Sequence, residues 1–386
     1  MTDIRVEGGC VLCGGRLEKT SVHVDVADGL IADVGSDRAS KSIIDASGLL
    51  VLPGIVDIHG DAFERQMMPR PGVEISVDIA LVDSDRQVIA NGITTVFHGV
   101  TWSWEPGLRG TENARGILEA IEMLQPRLAA DTRFHLRHET FNLEAEAEIA
   151  GWLDAGRIHA LAFNDHMPSA DSVAKRPDKI AQMVQRSGLP PEEFVALVER
   201  HRSRANEVPH SIARLAELSV AKGIPLLSHD DASPEQRRWF RALGCRVSEF
   251  PMNVETAQAA AADGDSIVMG APNVVRGRSH MGWASATDMI ARGLCSVLAS
   301  DYYYPAQLIA AFRLADINIV PIEKAWSLVS ESPAHAAGLY DRGRIESGLR
   351  ADIILVDTSF PARPRVVAVV VAGRIVHLTE ADRIGH

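Results

Sequence analysis

The chain has 386 residues, long enough for one large α/β barrel or two ordinary domains, and it is 46% hydrophobic and 23% charged, the composition of a globular protein. Its formal charge of −12, with no basic stripe, argues against a nucleic-acid partner but leaves room for a small anionic substrate, which answers to local charge and not to the sum. Met1-Thr2-Asp3-Ile4-Arg5 leads into no signal-type stretch and no run nears bilayer length, so the expectation is a cytoplasmic protein with no membrane partner.

The first fifty or so residues alternate apolar and polar, as in Val22-His23-Val24-Asp25-Val26 and Leu30-Ile31-Ala32-Asp33-Val34. Cys10-Val11-Leu12-Cys13 has the spacing of a redox or zinc pair, but it lies in a strand-like segment with no second pair. It reads as strand, and the four cysteines of the chain read as reduced thiols. The middle alternates strand and helix. Strand-like runs fall at 53–59, 93–99, 133–139, 159–166, 224–229, 245–250, 266–271 and 296–301. Helix patterns at 78–91, 113–125, 209–222 and 255–262 lie between them, with Gly92, Gly223 and Gly264 as stops. The connection 167–208 is too long for a barrel loop and reads as a lid or as the arm of a homodimer. The closing segment returns to short strands, at 353–356 and in the β-branched run 366–371.

Strands each followed by a helix predict a (β/α)8 TIM-like barrel of the α/β class over 52–340, with a small β-sandwich domain built from both chain ends, 1–51 and 341–386. An open doubly wound sheet is the alternative pattern, but no strand-to-helix turn carries a dinucleotide-type glycine fingerprint.

Catalytic groups of such a barrel gather at the C-terminal ends of its strands. Five of those ends carry metal-ligand residue types: His59 with Asp61, Glu139, His166, His229 and Asp301. His59 and Asp61 are two apart, so they project together from a strand end. Imidazole and carboxylate side by side suit a borderline divalent ion such as zinc. His98, His135 and His138 read as hydrogen-bonded core or rim residues, with His138 facing away from Glu139. Asp230 and Asp231 read either as orienting His229 or as capping the next helix, and Glu249 as a group behind the ligands.

The stretch Leu52-Pro53-Gly54-Ile55-Val56-Asp57-Ile58-His59, the closing Gly348-Leu349-Arg350-Ala351-Asp352-Ile353-Ile354-Leu355 and the split β domain resemble the amidohydrolase superfamily of metal-dependent hydrolases. Five further stretches resemble its diphosphatases of phosphonate breakdown, which act on a ribose-linked 5-triphosphate. They are Pro69-Arg70-Pro71-Gly72-Val73, Ser228-His229-Asp230-Asp231-Ala232, Glu249-Phe250-Pro251, the run 269–280 ending in Ser279-His280, and Ser300-Asp301-Tyr302-Tyr303. The resemblance implies metal binding by His59, Asp61, Glu139, His166, His229 and Asp301, with one ion or two, and release of pyrophosphate. The loops after His166 and around Trp283 depart from that pattern and touch substrate more than metal.

A metal here would supply a hydroxide nucleophile by lowering the pKa of a water, and Asp301 is placed to take the proton. A triphosphate also needs donors on the leaving side. Arg70, Arg276, Arg278, His280 and Tyr302, in loops expected at the barrel mouth, are the candidates. The alternative chemistry for the same ligands is that of a deacetylase, deaminase or cyclic amidase.

Overall fold

Eight parallel strands follow one another in chain order around a single sheet: Ile55–Gly60, Ile93–Trp102, Asp131–Glu139, Ala160–Asn164, Leu226–His229, Val247–Glu249, Ser266–Gly270 and Val297–Ala299. Each falls on one of the runs predicted from sequence, and the order is that of a barrel. The computed structural model describes residues 3–36, 40–70, 72–168, 177–277, 285–360 and 362–385. First and last strands meet through one parallel bridge, Gly60 to Asp301. Below that bridge, Asp57 accepts from the Ser300 backbone N–H at 3.0 Å and from the Ser300 hydroxyl at 2.5 Å. The sheet is thus a nearly closed barrel, tied at its seam by one carboxylate.

Period-two alternation sorts the strand residues. Val56, Phe97, Ala162, Leu227, Val247, Val268 and Ala299 form one buried cluster in the lumen, joined by Ala334 and Ala337 from the helix Glu331–Ala336 and the residue beyond it. The residues between them face outward: Leu136, Leu161 and Phe163 pack against the helices Thr111–Leu124, Glu146–Asp154 and Val208–Ala221. Two positions past the lumen residues come polar ones: Asn164 after Ala162, His229 after Leu227, Glu249 after Val247, Asp301 after Ala299. The same alternation that fills the barrel therefore crowns it with ligand chemistry. His59 departs from strict alternation, and the register of its strand shifts between Asp57 and Gly60.

Helices Val77–Ala90 and Val254–Ala262 also fall within a residue or two of their predicted limits, and Gly92, Gly223 and Gly264 take the left-handed φ of a helix stop. In the long connection after the fourth strand, helices Pro177–Ser187 and Pro191–Arg202 pack Met183, Phe194 and Val198 against Trp104. Arg186 donates to the buried Glu105 carboxylate at 2.5 Å. Residues 169–176, within the predicted lid or arm, lie outside the described residues.

Both chain ends build the remaining two sheets. A six-stranded sheet places Leu50–Pro53 between Cys10–Cys13, parallel, and Ile353–Asp357, antiparallel. A five-stranded sheet pairs Ile4–Glu7 with Val22–Asp25 and Ser42–Asp45. Their facing side chains, among them Val6, Val24, Ile44, Val51, Ile353 and Val370, form one core, so the small β domain is a product of both ends. The four cysteines are free thiols, with Cys245 and Cys295 buried. Among the described residues no helix is long and apolar enough to cross a membrane.

Candidate metal centre

The mouth of the barrel is organised around three imidazoles. His59 and His229 stack with their ring centroids 5.4 Å apart, and His166 meets His229 edge-on at 5.5 Å. Glu249, at the end of the sixth strand and fully buried, faces both stacked rings: Oε1 is 2.8 Å from His59 Nδ1 and Oε2 is 3.2 Å from His229 Nδ1. His166 Nδ1 is 2.6 Å from Glu139 Oε1, and its backbone N–H donates to Oε2 of the same carboxylate at 3.0 Å. Asp230 turns one oxygen to His166 Nε2 at 3.5 Å and the other to His229 Nε2 at 3.6 Å.

Among the described residues two overlapping groups of donors result, His59–His229–Glu249 and His166–His229–Asp230, each with its atoms within 4.8 Å of one another. Two imidazoles and a carboxylate suit a borderline divalent ion, so the side chains present fit the metal expected from sequence. Electrostatics treat the rings differently, and an ion would have to displace a proton from His166 but not from His229. Burial lowers the His166 pKa, but Glu139 and Asp230 outweigh it and raise it to about 9. Burial lowers that of His229 and leaves its ring neutral, the form in which a free nitrogen can ligate. Burial would raise Glu249, yet His59 and His135 hold it well below the usual carboxylate range.

Asp61 and Asp301 sit side by side across the barrel seam, the Asp61 backbone N–H donating to the Asp301 carbonyl at 3.1 Å. Arg137 comes up from the third strand to donate to Asp61 Oδ2 at 3.1 Å, and it outweighs the burial that would raise that carboxyl. Asp301 has no such partner among the described residues; burial and then the Asp61 charge push it up to about 7. Asp230, Phe250 and Asp301 all take left-handed φ, between 52° and 58°, just past the fifth, sixth and eighth strands. Non-glycine residues held in that region mark a surround built to aim side chains.

The six predicted ligands therefore share the mouth, but not as one shell. Asp61 bonds to an arginine, Glu139 to His166. Three further residues stand among them: Asp230 and Glu249, which the sequence placed beside or behind the ligands, and Arg137, which it did not single out. Strand parity was the available signal for Arg137, since it lies midway between His135 and Glu139 on the inner face. Neither aspartate after His229 caps the helix Pro234–Ala242, which Ser233 caps instead. Asp231 accepts from Ser228, Ser248 and Arg237 beneath the strands. His135 is buried, its Nδ1 2.9 Å from the Ile58 carbonyl, while His98 packs edge-on to Phe63. The Asn164 amide is fully buried at the end of the fourth strand, in register with Glu139, and neither of its polar atoms has a partner among the described residues.

Among the expected substrate donors, Arg276 ends the helix Ala271–Arg276 and donates to the Tyr302 hydroxyl at 3.3 Å. Tyr302 also lies under the Arg65 guanidinium, 5.7 Å from its ring centre. Arg70 is exposed in a tight turn bridged to Val73. Arg278 and His280 lie outside the described residues.

The chain is 34% identical over 356 residues to the alpha-D-ribose 1-methylphosphonate 5-triphosphate diphosphatase of Escherichia coli (strain K12), which covers 88% of this chain and 91% of that one. It belongs to the amidohydrolase superfamily, in the family of that diphosphatase. Among solved structures, the fold is shared with an amidohydrolase at TM-score 0.66 and 15% identity, covering 98% of this chain and 100% of the other. It is shared too with the dihydropyrimidinase of Brevibacillus agri NCHU1002 at TM-score 0.59 and 14% identity, covering 97% and 95%. No model of a known protein family matches the chain. A superfamily hydrolase with its polar residues at the C-terminal strand ends is what the barrel described above presents.

Proposed function

We propose that this chain is a zinc-dependent diphosphatase of the cytoplasm that splits pyrophosphate from a ribose-linked 5-triphosphate. The observation that carries the reading is the likeness to the Escherichia coli diphosphatase, 34% identity over 88% of this chain and 91% of that one. The donors that would hold the ion are His59, His166 and His229 with the carboxylates around them. An ion held there would supply a water whose pKa is lowered toward neutrality.

The chain's own residues do the rest. Asp301, at the seam and without an arginine partner among the described residues, accepts the water's proton at its carboxylate and returns one to the leaving group. Glu249 holds the two stacked imidazoles in place. Arg276 and Tyr302, already bonded to each other, offer donors to the anionic leaving group, whose charge grows as the bond breaks. Asn164 brings an uncommitted amide to the same mouth.

The test is pyrophosphate release from ribose 5-triphosphate or a nucleoside triphosphate by the zinc-loaded protein, run beside hydrolysis of dihydroorotate. Turnover of the triphosphate alone supports the reading. Turnover of the cyclic amide alone replaces it with amide hydrolysis at the same centre.

A further inference from the structure

Arg137 has no part in the chemistry above, yet it occupies the middle of the site. It lies on the inner face of the third barrel strand between His135 and Glu139 and is 4% exposed. Its two terminal nitrogens reach two ligand-type atoms at once, Asp61 Oδ2 at 3.1 Å and His229 Nε2 at 3.4 Å. The second bond requires a bare Nε2, so the His229 proton sits on Nδ1 and goes to Glu249 Oε2 at 3.2 Å. The place is built for the arginine. Gly99, on the neighbouring strand, has no side chain where the stem of Arg137 crosses, and a Cβ there would lie 3.1 Å from Arg137 Cδ.

We propose that Arg137 is the resident cation of the barrel mouth: its guanidinium keeps Asp61 out of the ligand set and limits the centre to one divalent ion, held by His166, His229 and Asp230. The inference rests on the metal-dependent reading above and decides a point that reading leaves open.

An ion that takes His229 Nε2 displaces only the longer of the two guanidinium bonds, and Arg137 stays on Asp61. An ion that takes Asp61 breaks the salt bridge and leaves a buried guanidinium, whose Nε already lacks a partner, without the carboxylate it bonds among the described residues. The first exchange is cheap and the second is not. The donor groups show the same asymmetry: both include His229, and neither includes Asp61 or Asp301. Between the two groups, His166–His229–Asp230 has the partly exposed members, His166 at 26% and Asp230 at 24%, whereas the other group is wholly buried. In the other, Glu249 is already committed to both Nδ1 atoms.

The experiment counts zinc per chain by mass spectrometry of the elements, on full-length protein equilibrated with excess zinc and then desalted. Wild type should hold one ion, Arg137→Met two, because Asp61 is released, and Arg137→Lys one, because the charge is kept. Asp61→Asn should still hold one. Two ions in wild type, one in a folded Arg137→Met, or loss of zinc in Asp61→Asn each overturns the proposal while leaving a metal-dependent hydrolase standing. No zinc in wild type overturns both. The Asp61→Asn and wild-type counts decide the matter even where Arg137→Met does not fold.

Discussion

Glu249 and His59 are 190 residues apart in the chain, yet a carboxylate oxygen of one lies 2.8 Å from a ring nitrogen of the other, both fully buried. The other oxygen of the same carboxylate serves His229. One side chain thus fixes the orientation of two imidazoles on opposite sides of the mouth. Glu249→Gln keeps the shape but provides only one acceptor. Zinc affinity, measured by competition with a chelator, should fall by about 10–100-fold, the usual cost of losing a group that orients ligands. Unchanged affinity would mean that the rings are held by packing alone.

His229 belongs to both candidate donor groups. His229→Ala should therefore abolish stoichiometric zinc binding and activity together, since an imidazole nitrogen at about 2.0–2.1 Å from zinc has no substitute nearby. A variant that keeps its zinc would remove this histidine from the centre.

Arg276 separates phosphoryl from acyl chemistry. Replacing it with Lys keeps the charge but loses the planar fork. A charged hydrogen bond is worth on the order of 1.5–3 kcal/mol, so kcat/KM for the triphosphate should fall roughly ten- to a hundredfold. The zinc content should not change. Equal turnover by parent and Arg276→Lys would count against a grip on the leaving group at this position.

Away from the mouth, Asp131 at the start of the third strand faces Arg133 at 3.0 Å and the buried Arg342 at 2.5 Å. Burial opposes ionisation, but the two arginines prevail and hold the carboxyl below its ordinary 3.8. Asp131→Ala leaves the Arg342 guanidinium on Asp341 and Thr95 but removes one of its two carboxylates, and should cost about 1–3 kcal/mol in urea unfolding at pH 7. Because the folded carboxyl is the stronger acid, this stabilisation is fully present above the unfolded value and drains away as pH falls through the folded one. Parent and variant should converge only below about pH 4. A gap that closes near neutrality instead would assign the effect to another group.

The barrel was readable because its eight strands are short apolar runs whose alternation and flanking glycines survive in a single sequence. Parity alone separated Glu139, which faces the site, from His138, which faces the helices. The committed bonds were not readable. An arginine inside a strand looks like surface until barrel closure brings Asp61 and His229 to it. Glu249 is a single carboxylate whose two partners come from strands one and five. Asp230 reaches two histidines only through a left-handed backbone that no spacing announces. The ligand types were local facts, whereas their pairing depends on curvature.

The carboxylate of Asp57 clasping Ser300 sets an order of assembly. During synthesis the first barrel strand emerges some 240 residues before its last neighbour, as the separation of 243 between the two clasped residues records. Domains fold as units on a chain lengthening by about 5–20 residues per second. His59 and Asp61 therefore wait many seconds, solvated and without their cross-barrel partners. A nascent chain stalled before Ser300 would carry His59 and Asp61 with no closed barrel around them, and the seam is completed only when the ribosome has delivered the eighth strand.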